Sequence, residues 1–203
     1  NLFADHAQME IFEQYFYDEE QFERRVGSDI VELLEHKISI FKKAPEQIVD
    51  GFNLPSNTYQ IDDVWIDWNS TYTGQFIDGK RSVVGRVDRH EVMGIKSGPL
   101  LRTPLAPCYY VYNNTVYFVD NVQDAHFRIN LIRKPVKPNW TYVIVGGNAT
   151  FNPQYAIDFE LHPSEENSLV LKILQLAGVA IKDFNLAQLA GQKEAATEQQ
   201  QKQ

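Results

Sequence analysis

The chain has 203 residues, 43% of them hydrophobic and 12% aromatic, with one cysteine and a net charge of −8. That length supports one well-cored domain, or one with a small helical appendage, and no apolar run approaches the ~20 residues a membrane-spanning helix needs. Residues 1–50 hold twelve acidic and five basic side chains, a net of −7, while the remainder is nearly neutral; neither part carries the basic footprint of a nucleic-acid-gripping protein.

Asn1-Leu2-Phe3-Ala4-Asp5 lacks the basic-then-apolar layout of a signal peptide. From about Asp5 to Phe22, Met9, Phe12, Tyr15, Phe16 and Phe22 recur at spacings near three or four among Glu10, Glu13 and Glu20, which predicts an amphipathic helix. Gly27 interrupts it. Ser28 reads as the N-cap of a second helix running to about Lys43, with Ile30, Leu33, Leu34, Ile38 and Phe41 as its apolar stripe. Asp29 and Glu32 near its start and Lys42 and Lys43 near its end suit the helix dipole, and Pro45 lies just beyond.

Gly51, Pro55, Ser56 and Asn57 mark a loop over residues 50–60. Alternation then begins, with Val64, Ile66 and Trp68 against Trp65, Asp67 and Asn69. Further strand-like runs are Tyr72–Ile77, Val83–Val87, Tyr109–Tyr112, Val116–Val119, Phe127–Ile132 and Tyr142–Val145. Asn113-Asn114 and Gly146-Gly147-Asn148 supply hairpin turns, since these residues tolerate positive φ. Ser97 to Pro107 holds three prolines and one glycine, the composition of an extended arm.

Pro163-Ser164-Glu165-Glu166 predicts a helix start, with Ser164 as cap and two acids at the positive end of the dipole. Leu169, Val170, Ile173, Leu174 and Ala177 form its stripe, Gly178 its stop. Asp183 is the cap of a last helix through Leu186, Leu189 and Ala190. Beyond Gly191 the Gln-, Glu- and Lys-rich tail has no apolar face and is expected to fray when alone in water. The expected class is α+β, with N-terminal helices, a central antiparallel β-rich domain, and C-terminal helices carrying an extended polar tail. By segment these are residues 1–50 (acidic, helical), 51–160 (β-rich, with the Pro-rich arm near 97–107), 161–190 (helical) and 191–203 (polar tail), read as one domain with extensions.

The candidates for chemistry are few. Cys108 heads an apolar strand with no base nominated beside it, so a buried, inert thiol is expected. Asp88-Arg89-His90-Glu91 is the densest polar cluster; in an extended strand Asp88 and His90 would share a face and Glu91 would point away. No His-x-Glu or Glu-x-x-His partner completes a metal set. Asp124 and His126 pair only weakly, among loop residues. His162, before Pro163, reads as structural. Gly146-Gly147 lacks the lysine of a phosphate loop. Four Asn-x-Thr matches, at Asn69, Asn113, Asn139 and Asn148, read as turn chemistry. Arg128, Arg133, Lys134 and Lys137 with Trp140 fit either a nucleic-acid contact or the snorkelling rim of an interface. No catalytic residue, metal or cofactor is assigned.

Leu131-Ile132-Arg133-Lys134-Pro135-Val136-Lys137-Pro138-Asn139-Trp140-Thr141-Tyr142-Val143 and Ile157-Asp158-Phe159-Glu160-Leu161-His162-Pro163-Ser164-Glu165-Glu166 resemble virion structural proteins of crAss-like tailed bacteriophages. Leu171 to Val179 and the Gln-rich end add to the likeness, which covers roughly the last third of the chain. The resemblance implies a non-enzymatic head–tail connector subunit. Such subunits form a closed homo-oligomeric ring, commonly twelve-fold, between the portal and neighbouring tail or ring proteins. DNA is only a passing cargo in the lumen, and no membrane is involved. The Pro-rich arm (Pro99, Leu100, Leu101, Pro104) and the last helix (Phe184, Leu186, Leu189) are the candidate partner contacts. The alternatives are another virion component, such as a stopper, tail-tube or scaffold-like protein, and a small metal-dependent hydrolase using Asp88, His90 and His126.

Overall fold

The computed structural model describes residues 1–23, 29–67, 81–97, 107–119, 126–180, 188–189, 191–193 and 195. The chain opens with helices α1 (Leu2–Glu23) and α2 (Asp29–Ser39) and continues through strands β1 (Glu46–Ile48), β2 (Phe52–Asn53), β3 (Thr58–Asp67), β4 (Arg81–Val83) and β5 (Gly85–Arg86). Helix α3 (Val92–Ser97) precedes β6 (Cys108–Tyr112), β7 (Thr115–Phe118), β8 (His126–Arg133), β9 (Tyr142–Val145) and β10 (Asn148–Phe151). Two 3-10 turns, Pro153–Tyr155 and Pro163–Glu165, lead to α4 (Glu166–Ala180). The class is α+β, as its composition of helical ends and a β-rich middle predicts. Contacts divide the chain into two compact units, one of residues 41–134 and one of residues 1–40 with 135–203.

The unit of residues 41–134 is built from two four-stranded sheets, ordered β1-β8-β3-β4 and β2-β7-β6-β5. Alternation along β3 and β8 sends Val64, Ile66, Phe127, Ile129 and Leu131 inward. There they meet Val116 and Tyr109 of the second sheet in one cluster with Ile48 and Val84. Stacked rings of Phe118 and Phe127, 3.7 Å apart, bridge the sheets. Among the described strands the chain passes from one sheet to the other four times, from β1 to β2, β2 to β3, β4 to β5 and β7 to β8. At Gly51 a φ of +78° turns β1 into β2, and at Val84 β4 runs into β5.

Several details depart from the pattern read in sequence. The loop expected over residues 50–60 contains β2 and the start of β3, elements too short or too polar to show periodicity. The pair β5–β6 is parallel rather than antiparallel. The Asn113-Asn114 hairpin forms as expected, with φ of +47° and +60°. Cys108 is half-buried rather than sealed. The expected strand Tyr72–Ile77 lies outside the described residues.

In the unit of residues 1–40 and 135–203, α1 packs on α2 and α4. Ala7, Ile11, Phe12 and Tyr15 of α1 are buried, with Leu34 and Ile38 of α2 and Leu169 of α4. Gln8 is buried too. Its amide donates to the Val136 carbonyl at 2.8 Å and accepts from the Glu160 N–H at 3.0 Å, so both halves of the amide are satisfied by chain more than a hundred residues away. Lys37 of α2 is ion-paired with Glu165, both side chains less than a tenth exposed.

Helix α2 ends at Ser39, before the expected Lys43, because Phe41 and Lys42 are drawn into pairing with β8. The expected cap Ser28 lies outside the described residues. The helix start at Pro163 forms, but His162 is the cap: its Nδ1 accepts from the Ser164 N–H at 3.2 Å. Glu165, expected to serve the dipole, is committed to Lys37. Gly178 does not stop α4, which runs on to Ala180. Val170 and Leu174, placed by periodicity in the buried stripe, are exposed. In the tail, residues 191–193 and 195 are helical, and a side chain at Gly191 would lie 3.5 Å from Gln175 of α4.

Candidate assembly interface

The polar clusters read as candidate chemistry come apart in three dimensions. Asp88 to Glu91 form a turn, not a strand: the Glu91 N–H donates to the Asp88 carbonyl at 2.9 Å and α3 follows. Asp88, His90 and Glu91 are all exposed, and Arg89 lies over the ring of Tyr112 at 3.9 Å. His126 is held by Gln47 at 2.9 Å, while Asp124 lies outside the described residues. Among the described residues no group of three His, Cys, Asp or Glu side chains is placed to hold a metal ion. No helix among them is long and apolar enough to cross a membrane.

Three of the four basic residues of the strip are engaged locally. Arg128 bonds Asp67 at 2.7 Å, Lys137 pairs with Asp5 at 3.3 Å, and Arg133 lies over the Phe41 ring. Of the partner contacts proposed from sequence, Pro99, Leu100, Leu101, Pro104, Phe184 and Leu186 lie outside the described residues. Leu189 is described, helical and half-exposed.

The feature that stands out is the ribbon of β9 and β10. It begins where Asn139 and Ile157 exchange two backbone hydrogen bonds of 2.9 Å. Thr141 then bonds Asn152 twice, through its carbonyl and its hydroxyl. Four antiparallel pairs follow, from Tyr142↔Phe151 to Asn148↔Val145. The turn is Gly146-Gly147, at φ +60° and +83°, the left-handed pair that a two-residue hairpin turn requires. At about 3.3 Å per residue the ribbon reaches roughly 20 Å from its root.

Every residue of β9 and β10 is exposed. Period-two alternation puts Tyr142 and Ile144 on one face with Ala149 and Phe151, and Val143 and Val145 on the other with Asn148 and Thr150. Trp140 stacks on Tyr142 at 5.7 Å and on Phe151 at 6.3 Å, continuing the first face to the root. Ile144 is 71% exposed and Trp140 55%. A concavity of about 350 Å³ opens at this root, lined by Trp140, Phe151, Pro138, Ile157 and Phe159 with Ala4 of α1.

From Trp140 to Ile157 no residue is charged, a run of 18 in a chain that is 23% charged. An exposed apolar face without charge is the composition of a protein contact, where aromatic residues gather and charges are depleted. Sequence reading found β9 and the glycine turn but missed β10, whose Asn-Ala-Thr-Phe has little apolar pattern. It took Trp140 with the basic residues before it rather than with the neutral residues after it. The length of the uncharged run was the signal available. No protein family matches the chain, and no curated protein sequence is similar to it.

Proposed function

We propose that the chain is a virion structural subunit that assembles into an oligomeric ring of a phage head–tail connector, between portal and tail, with DNA passing through the lumen and no catalytic step. The observation that carries the assembly part of this reading is the uncharged, exposed ribbon of Trp140 to Ile157. A two-stranded hairpin is marginal by itself in water, and its exposed apolar face of Tyr142, Ile144, Ala149 and Phe151 is costly unless something covers it. The connector assignment is supported by the resemblance of residues 131–143 and 157–166. The net charge of −7 in residues 1–50 suits a surface past which DNA must slide, since like charge discourages adhesion.

Native mass spectrometry and negative-stain imaging of the purified chain test the reading. Closed rings of one defined mass are the expected result. A monomer at every accessible concentration, alone and with portal protein, sinks it. Rings stacking into tubes would move the assignment to a tail-tube component.

A further inference from the structure

We infer that the β9–β10 ribbons of successive copies pair edge to edge, β9 of one copy against β10 of the next, so that the ring is stitched by one continuous antiparallel sheet. This rests on the ring reading and adds the contact that makes it.

The first ground is how the molecule treats its other strand edges. An open edge invites pairing with another chain, and natural proteins blunt it with charge. Edge strand β1 carries Glu46, β4 carries Arg81 and β5 carries Arg86; β2 is only two residues long. Neither β9 nor β10 has a charge or a proline, and among the described residues no third strand joins them. Protection is present elsewhere and missing here.

The second ground selects the partner. A chain of net charge −8 repels its own copies, so self-association is least opposed where the surface is neutral. The ribbon is the longest such stretch at hand, and its strands match at four residues each. The third ground selects the geometry. Pairing β9 with β9 would bury one edge per copy and leave both β10 edges open. Pairing β9 with β10 covers every edge, and a contact between two different surfaces closes on itself only as a ring.

Oxidative cross-linking of the full chain tests this, in a Cys108→Ser background. Adjacent strands lie about 4.8 Å apart, so disulfides can join β9 to a neighbour's β10, whereas β9 strands of successive copies lie about twice as far apart, beyond disulfide reach. Protein carrying Val143→Cys is mixed with protein carrying Asn148→Cys or Thr150→Cys, both on the same ribbon face. Mixed disulfides in at least one mixture, and none in Val143→Cys alone, are expected. Separately, Val145→Lys should raise the concentration for half-assembly on the order of tenfold or more while leaving the thermal midpoint of the monomer in place. Rings that form in spite of Val145→Lys and give no mixed disulfide overturn the edge pairing and leave the ring reading intact. Disulfides within Val143→Cys alone overturn it in favour of a two-fold contact. A strictly monomeric parent chain removes both.

Discussion

Lys37 and Glu165 meet from positions 128 residues apart, both nearly sealed from water. Removing one partner strands the other as an uncompensated buried charge. Lys37→Met is therefore expected to cost about 3–5 kcal/mol in urea unfolding, and adding Glu165→Leu to recover most of it; a double variant as weak as the single would show that the pair itself, not the stranded charge, carries the effect. Tyr15 lies beside this pair, with the Lys37 ammonium 5.5 Å from its ring centroid. Among the described residues its buried hydroxyl has no hydrogen-bond partner. Burial first, and the Glu165 carboxylate second, push the phenol well above its ordinary value of 10.0. The folded state thus holds a proton that the unfolded chain releases above about pH 10. The stability tied to this group is complete below that pH and drains away as pH rises further. Tyr15→Phe is expected to gain about 1 kcal/mol at neutral pH and to flatten the alkaline decline. Tyr109, also raised chiefly by burial, will sustain part of it. Nothing local announces such partners. Glu165 has the spacing of a dipole-serving acid, and only the meeting of α2 with the turn before α4 reassigns it.

At the scale of elements, legibility follows how local the cause is. The helices α1, α2 and α4 and the two glycine or asparagine turns were readable, because periodicity and positive φ are properties of neighbouring residues. Strands β1 and β2 were not, since two or three residues hold no period and are fixed by pairing with β8 and β7. The turn at Asp88–Glu91 escaped for the same reason. The ribbon fell between these cases: one strand and the turn were visible, while the pairing of β9 with β10 was not. The Asn113-Asn114 hairpin gives a direct test of turn chemistry. Asn114 combines a φ of +60° with a side chain that donates to the Leu54 carbonyl at 2.8 Å, and its own carbonyl accepts from the Leu54 N–H at 2.9 Å. Asn114→Gly keeps the backbone and loses one exposed hydrogen bond, costing about 1 kcal/mol; Asn114→Ala adds the left-handed penalty, for about 2–3 kcal/mol in all. Equal losses by thermal unfolding would mean that φ at this position is not what the turn demands.

At the scale of the whole molecule, the two units differ in how the chain supplies them. The unit of residues 41–134 is continuous, and among the described residues its core cluster from Ile48 to Leu131 is drawn from within it. Its two ends are tied together, since the Arg133 N–H donates to the Phe41 carbonyl and the Lys43 N–H to the Leu131 carbonyl, at 2.9 and 2.8 Å. The other unit is the discontinuous one, and its buried Gln8 hydrogen-bonds to residues 136 and 160. No composition signal marks residues 1–40 as partners of residues 135–203, because what joins them is scattered along the chain: the Gln8 amide, the ion pairs of Lys37 with Glu165, Asp5 with Lys137 and Glu10 with Lys172, and the packing of α1 on α4. A unit with its own core and adjoining ends meets the conditions for independent folding. Residues 41–134 expressed alone are expected to give dispersed amide resonances and a single cooperative urea transition. The reciprocal deletion, joining Ile40 to Pro135 through two glycines, should preserve the protection of the α1 amides from hydrogen exchange, because the excised segment begins and ends near the backbone hydrogen bond of Arg133 to Phe41. A fragment with coil-like spectra would mean that the two-sheet core needs the helical unit to form. The division into a β unit that folds by itself and a helical unit that includes the β9–β10 ribbon would then give way to one cooperative whole.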